Sequence, residues 1–272
     1  HALVLAGGVA RGGAARLAAR AALRVGAGLV TVGAPGAALI ENAARLDAVM
    51  LRRVDDAADL GALLSDARIT ALAMGPGLGV GDRTARLLET AAEASRRGLA
   101  LVLDADALTT LAAGGDGAWR ARWRGAFGPR VVMTPHWAEH LRLFPEHRQW
   151  PDAPDAPPAG LPQALTAAAK AVGATLLLKG PTTAIAAPGA PLSLHAARGD
   201  RAAPWLATAG AGDVLAGLIA GLLARGAPAR EAAETAAWLH VEAARAVGPG
   251  LIAEDLAEAL PGVLRGVLDA PA

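Results

Sequence analysis

Short, nearly continuous apolar runs alternate with Ala-rich stretches of helical period from the start of the chain. Leu3–Leu5, Leu29–Val32, Val49–Leu51, Ala71–Met74, Ala100–Leu103, Val131–Met133 and Thr175–Leu178 are bounded by Gly, Pro or Asp, as strands buried on both faces of a parallel sheet are. Between them, Ala14–Val25, Ala57–Leu64, Arg83–Arg97, Ala138–Phe144 and Gln163–Val172 carry Ala/Leu/Arg periodicity and predict helices. This alternation predicts an α/β fold, a doubly wound, mostly parallel sheet with helices on both faces. The last third changes character. Thr183–Ala187 and Leu192–His195 read as a hairpin through Pro188-Gly189, followed by helices at Val214–Arg225, Ala229–Val247 and Glu254–Leu264. The Pro-rich stretch 145–162 is the best candidate for a boundary, but the alternation resumes after it. It reads as a surface loop, and residues 1–272 read as a single domain.

Composition narrows the function classes. Apolar residues make up 53% of the chain, yet 72 of its residues are Ala. No uninterrupted apolar stretch approaches the roughly 20 residues that span a bilayer, so a soluble protein is expected. A net charge of +1 without a basic run argues against nucleic acid or an anionic membrane as partner. The absence of Cys removes disulfides, thiolate metal sites and cysteine nucleophiles. Arg outnumbers Lys 24 to 2, so a Lys in this background is informative. One of the two, Lys179, ends an apolar strand just before a Gly.

Three constellations could carry chemistry. Leu206–Gly217 crowds small residues into a turn that opens an apolar helix. Free N–H groups at such a helix start, and the helix dipole, can hold phosphate, and Gly210 and Gly212 let a ligand approach the backbone. Asp213 would repel a simple anion there. It makes sense either as a base that takes a proton from a hydroxyl attacking phosphate or as a helix cap. The second constellation, Lys179-Gly180-Pro181-Thr182-Thr183, lies where open α/β sheets bind ligands, beyond a strand's carboxyl end. It reads as phosphate-binding or as a solvated turn. The third, Thr134-Pro-His-Trp-Ala-Glu139, offers Glu139 to orient Mg²⁺ through water and His136 to a substrate. Its alternative is an ordinary helix start with Thr134 as the cap. Asp104 and Asp106 could assist metal or polyphosphate, or cap the next helix. His140, His147, His195 and His240 show no metal-ligand spacing and read as structural or solvated.

Taken in order, these pieces resemble the ribokinase-like superfamily, and more narrowly the ADP-dependent (S)-NAD(P)H-hydrate dehydratases. The resemblance runs through Ala21–Val30, Gly75–Gly79, Asp104–Leu108, Thr134-Pro-His136, Lys179–Thr183, Ala207–Asp213, Trp238-Leu-His240 and Gly250–Leu256. It implies a ribokinase-like fold and the ADP-dependent dehydration of (6S)-NADHX and (6S)-NADPHX, with Mg²⁺ as cofactor. Lys179, Gly180, Pro181, Thr182, Thr183, Gly210 and Gly212 would bind the nucleotide. Ala14, Gly77, His136 and Asp213 would line the substrate site, Asp213 would be catalytic, and Glu139 would hold the metal through water. The resemblance also implies a cytoplasmic homo-oligomer, a tetramer in the fullest form, and an NAD(P)HX epimerase as functional partner, in some members fused upstream. Two positions depart from the family pattern: Ala211 replaces the loop's Ser or Thr, and Ala138 replaces a Gly. The alternative reading is an ATP-dependent kinase of a vitamin precursor, a hydroxymethylpyrimidine or a thiazole.

Overall fold

The computed structural model describes residues 1–113, 119–123, 125–150 and 159–269. The strands are β1 (Ala2–Leu5), β2 (Val30–Ala34), β3 (Met50–Arg53), β4 (Ala71–Met74), β5 (Ala100–Leu103), β6 (Val131–Met133), β7 (Thr175–Leu178), β8 (Thr182–Ala186) and β9 (Ser193–Ala196). They form one sheet in the order β3-β2-β1-β4-β5-β6-β7-β8-β9. The first seven are parallel, while β8 and β9 continue as antiparallel neighbours. The chain winds outward from β1 to β3, returns beside β1 as β4, and then winds the other way. Such a reversal opens a crevice at the carboxyl ends of the strands.

The helices are α1 (Gly13–Arg24), α2 (Leu39–Ala43), α3 (Ala57–Leu63), α4 (Asp82–Arg96), α5 (Ala105–Leu111), α6 (Trp119–Arg122), α7 (Trp137–Leu143), α8 (Leu161–Val172), α9 (Ala211–Ala224), α10 (Ala229–Val247) and α11 (Ala253–Leu268). Among the described residues, no helix is long and apolar enough to cross a membrane.

Side-chain alternation along the strands builds two unlike cores. Ala2, Val4, Ala71, Ala73, Ala100 and Val102 face α1, α9, α10 and α11. Leu3, Leu5, Leu72, Met74, Leu101 and Leu103 face the other way, with residues of α3, α4, α5, α7 and α8. The small-residue face lets helices come close. A Cβ on Gly217 of α9 would stand 2.1 Å from the Ala18 carbonyl oxygen of α1, and one on Gly221 would stand 2.7 Å from that of Ala22. Backbone therefore meets backbone along the α1–α9 contact. Helix α9 is buried on nearly every side, Val214 to Gly221 without a break, which explains why it lacks a polar face.

Differences from the sequence reading have local causes. Helix α2, five residues long, is too short to show a period. Helix α11 continues past Leu264 to Leu268 and contains Pro261. Within the stretch read as a surface loop, Pro145–Gln149 is a 3₁₀ helix with His147 buried, because His147 hydrogen-bonds His140 of α7 (2.8 Å). The rest of that expected loop, residues 151–158, lies outside the described residues, and α8 already begins at Leu161.

Candidate active site

The carboxyl ends of β4 to β7 and the first turn of α9 converge. Gly210 precedes α9 in the left-handed conformation (φ +88°), and a Cβ there would stand 2.8 Å from both Leu17 and Ala253. Only glycine fits this turn without strain. Asp213 sits third in the helix, so the cap position belongs to Gly210 and not to the carboxylate. Burial pushes the Asp213 carboxyl up from 3.8 to about 6, the negative charge of Asp104 pushes it the same way, and Lys179 opposes both. A carboxylate so tuned is ionised at neutral pH yet basic enough to accept a proton.

Lys179 extends from the end of β7, and its backbone N–H donates to the Pro135 carbonyl (2.9 Å). Its Nζ donates to Asp104 Oδ1 at 2.7 Å and lies 4.0 Å from Glu139 Oε2. Both carboxylates are almost fully buried. A Cβ on Gly212 would be 3.5 Å from Nζ, so the ammonium stands against the first turn of α9. Asp104 does not cap α5, and Asp106 instead accepts from the Gly79 N–H (2.8 Å). The sequence offered capping as one reading of this pair, and the side-chain contacts assign both residues elsewhere.

His136, not Thr134, caps α7. Its Nδ1 accepts from the Ala138 N–H (3.1 Å), while Glu139 Oε2 accepts from the His136 N–H (2.9 Å). Thr134 turns its hydroxyl to the Leu103 carbonyl. With Nδ1 occupied as an acceptor, the neutral imidazole carries its proton on Nε2, 3.4 Å from Glu139 Oε1. The His136 side chain is half exposed and free to meet a ligand.

A cavity of about 550 Å³ opens beside this cluster. Lys179, Gly180, Pro181, Thr183 and Gly212 contribute to its wall, and Leu206, Ala237, His240 and Val241 make the rest largely apolar. Thr182 lies on the other face of β8, where its hydroxyl accepts from Arg198 Nε (3.0 Å). His240 was read as structural or solvated. It is buried and neutral, its pKa pushed down to about 4 by desolvation, and it forms part of this wall. Its place within Trp238-Leu-His240 was the only signal for it.

Ala14 and Gly77 lie toward β1 and β4. Ala14 and Pro76 line one small recess. Gly77 (φ +73°) packs under the loop before α1, where a Cβ would stand 2.8 Å from the Arg11 carbonyl oxygen. Most of the sequence-predicted residues lie to either side of Asp213: Lys179, Gly180, Pro181 and Thr183 with Gly212 toward β7 and β8, and Ala14 with Gly77 toward β1 and β4, while Thr182 faces away from the cavity.

The residues present suit Mg²⁺. Glu139 and Asp104 are hard oxygen donors close to the Lys179 ammonium, which stands against the first turn of α9. Among the described residues no group of three or more His, Asp or Glu could hold a metal by itself.

Comparison with known proteins gives this geometry its context. The family model for NAD(P)H-hydrate dehydratase matches residues 2–261. The Bifunctional NAD(P)H-hydrate repair enzyme Nnr of Mycobacterium leprae is 37% identical over 255 residues, covering 91% of this chain and 46% of the relative. The ADP-dependent (S)-NAD(P)H-hydrate dehydratase of Xanthomonas campestris is 33% identical over 283 residues, covering 96% of this chain and 87% of the relative. The chain thus spans half or less of the bifunctional relatives it matches. Among solved structures, the ADP/ATP-dependent NAD(P)H-hydrate dehydratase of Bacillus subtilis, co-crystallised with ATP and Mg²⁺, superposes with a TM-score of 0.76 at 26% identity, covering 97% of this chain and 88% of that one. A ribokinase from Cryptococcus neoformans shares the fold alone (TM-score 0.62, 16% identity, 96% of this chain and 99% of that one). With a family model matched over nearly its whole length, the chain belongs to the NAD(P)H-hydrate dehydratase family.

Proposed function

We propose that this chain dehydrates (6S)-NADHX and (6S)-NADPHX to NADH and NADPH at the expense of ADP. The observation that carries the reading is Asp213, a desolvated carboxylate in the first turn of α9 between a Lys-bearing cavity and the recess at Ala14. The cavity fits a nucleotide, with its apolar wall for the adenosine and Lys179, Gly180–Thr183 and the α9 N–H groups for the phosphates. The hydrated nicotinamide ring then lies between Ala14, Gly77 and His136. Asp213 removes the proton from the ring hydroxyl as its oxygen attacks the β-phosphorus of ADP, and AMP leaves. Free N–H groups at Gly212 and Asp213 stabilise charge on the transferring phosphoryl group. The ring nitrogen lone pair then expels phosphate, because phosphate leaves far more readily than hydroxide, and the resulting ring iminium loses a proton from the adjacent ring carbon to solvent, which restores the carbon–carbon double bond. The products are AMP, phosphate and the reduced dinucleotide.

Glu139, oriented by His136, would hold Mg²⁺ through water, with Asp104 nearby. Bound there, the ion offsets phosphate charge. An epimerase supplying the reactive epimer would be the functional partner, and a cytoplasmic homo-oligomer is the setting in which we expect the chain to work. Absorbance at 340 nm tests the function directly. Recovery in a mixture of hydrated NADH, ADP, Mg²⁺ and protein supports it. Absence of recovery with either ADP or ATP, in a protein that is folded, overturns it.

A further inference from the structure

The scheme above places Asp104 only in the neighbourhood of the ion, yet its backbone is tightly constrained. It sits directly before α5, where an Asp ordinarily caps the helix, and it forms no such bond. The next residue, Ala105, holds φ +46°, a left-handed conformation that residues with a Cβ seldom adopt. The main chain is clamped in this arrangement. The Asp104 N–H donates to the Met74 carbonyl (3.2 Å), and Gly75 lies so close that a Cβ on it would come within 1.8 Å of the Asp104 carbonyl oxygen. The clamp turns the side chain away from its helix into the interior, 3% exposed, where its Oδ1 accepts from Lys179 Nζ at 2.7 Å.

A Lys side chain has four rotatable bonds and rarely holds a fixed position unaided. A second carboxylate, Glu139, lies 4.0 Å from the same ammonium and would draw it toward α7. Asp104 decides between the two places, keeping Nζ against the first turn of α9 beside Gly212. We propose that Asp104 is a positioning residue for the nucleotide site: it holds the Lys179 ammonium where the phosphates of a nucleoside diphosphate must lie, and so sets nucleotide affinity without touching the nucleotide. This rests on the function proposed above.

The competing account is an ion pair that serves the fold alone, and a double-mutant cycle separates the two. ADP affinity is measured by calorimetry on wild type, Asp104→Asn, Lys179→Met and the double variant, with thermal unfolding of each without nucleotide. The double variant leaves neither charge buried alone, so it guards against misfolding of the single variants. Asp104→Asn should weaken ADP binding about 10-fold or more when Lys179 is present, the loss expected of a charge-assisted contact, and less than about 2-fold in the Lys179→Met background. Equal losses in both backgrounds, or no loss with Lys179 present, overturn the role of Asp104 while leaving the nucleotide site standing. Failure of the folded wild type to bind ADP at all overturns the proposed function, and this role with it.

Discussion

Asp213→Asn separates the chemical role of this carboxylate from its structural one, because the two move in opposite directions. Asn keeps the shape and removes the charge. If Asp213 is the base, turnover falls on the order of 10²- to 10⁴-fold. Stability should rise instead. The carboxyl is pushed from 3.8 to about 6 chiefly by desolvation, so at pH 7 the folded state holds a charge that the unfolded chain holds at lower cost. At about 1.4 kcal/mol per pKa unit, the difference approaches 3 kcal/mol. The sign follows from proton binding: the folded form takes up a proton first, so the penalty is full above pH 6 and fades as pH falls toward 4. The Asn variant should therefore melt several degrees higher than wild type at pH 7, with the gap closing near pH 4. Initial rates at 340 nm and melting curves at both pH values measure the two halves. Turnover equal to wild type would remove Asp213 from the chemistry. A lowered melting temperature at pH 7 would show that the carboxylate supports the fold and would refute the argument from burial.

The acid limb of kcat/KM should fall with an apparent pKa near 6, and a profile flat down to pH 5 would contradict Asp213 as the base. Lys179→Ala should lower the melting temperature without nucleotide, since it strands the buried Asp104 carboxylate, and adding Asp104→Asn should restore it. Gly217→Ala should cost about 3 kcal/mol or more in urea unfolding, because its Cβ would stand 2.1 Å from the Ala18 carbonyl oxygen; a near-neutral result would mean that α1 and α9 separate easily. Burial and the neighbouring His147 push the His140 pKa down to about 3, so the folded chain refuses a proton that the unfolded chain accepts near 6.5. Stability is thus lost as pH falls through that window, and a His140→Gln/His147→Gln variant should show a shallower decline than wild type when melting is followed from pH 7 to 4.

The doubly wound sheet was legible because its central strands are buried on both faces. That constraint writes itself as unbroken apolar runs such as Ala71–Met74 and Ala100–Leu103, both found at the expected bounds. The sequence singled out Lys179 and Asp213 on chemistry, one a rare Lys at a strand end and the other an acid in a glycine-rich turn, and the structure sets both at the first turn of α9. The contact of Asp104 with Lys179 was not legible, because Asp before a helix reads equally as a cap or as a ligand for metal or polyphosphate, and only the left-handed Ala105 redirects it. The cavity wall was not legible either. Leu206, Ala237 and Val241 are ordinary apolar residues whose convergence depends on the packing of α10 against the hairpin strands. Thr134 illustrates a further limit: two polar residues two positions apart can both cap a helix, and here the Thr134 hydroxyl donates to the Leu103 carbonyl while His136 caps α7.

The unlike faces of the sheet bear on how this chain absorbs mutational pressure toward alanine. On the side of α1 and α9, alanine is the size the contact demands, and a drift of Val or Gly codons toward Ala meets little resistance at Ala2, Ala71, Ala73 or Ala100. On the opposite side, where Leu72, Leu101 and Leu103 are fully buried, each exchange for Ala would open a void costing about 2–5 kcal/mol. The tolerance has an end at Gly217 and Gly221, where even a methyl group is too large. Substitution to alanine can therefore rewrite much of one face of this protein, but it is halted at two glycines in the helix that carries Asp213.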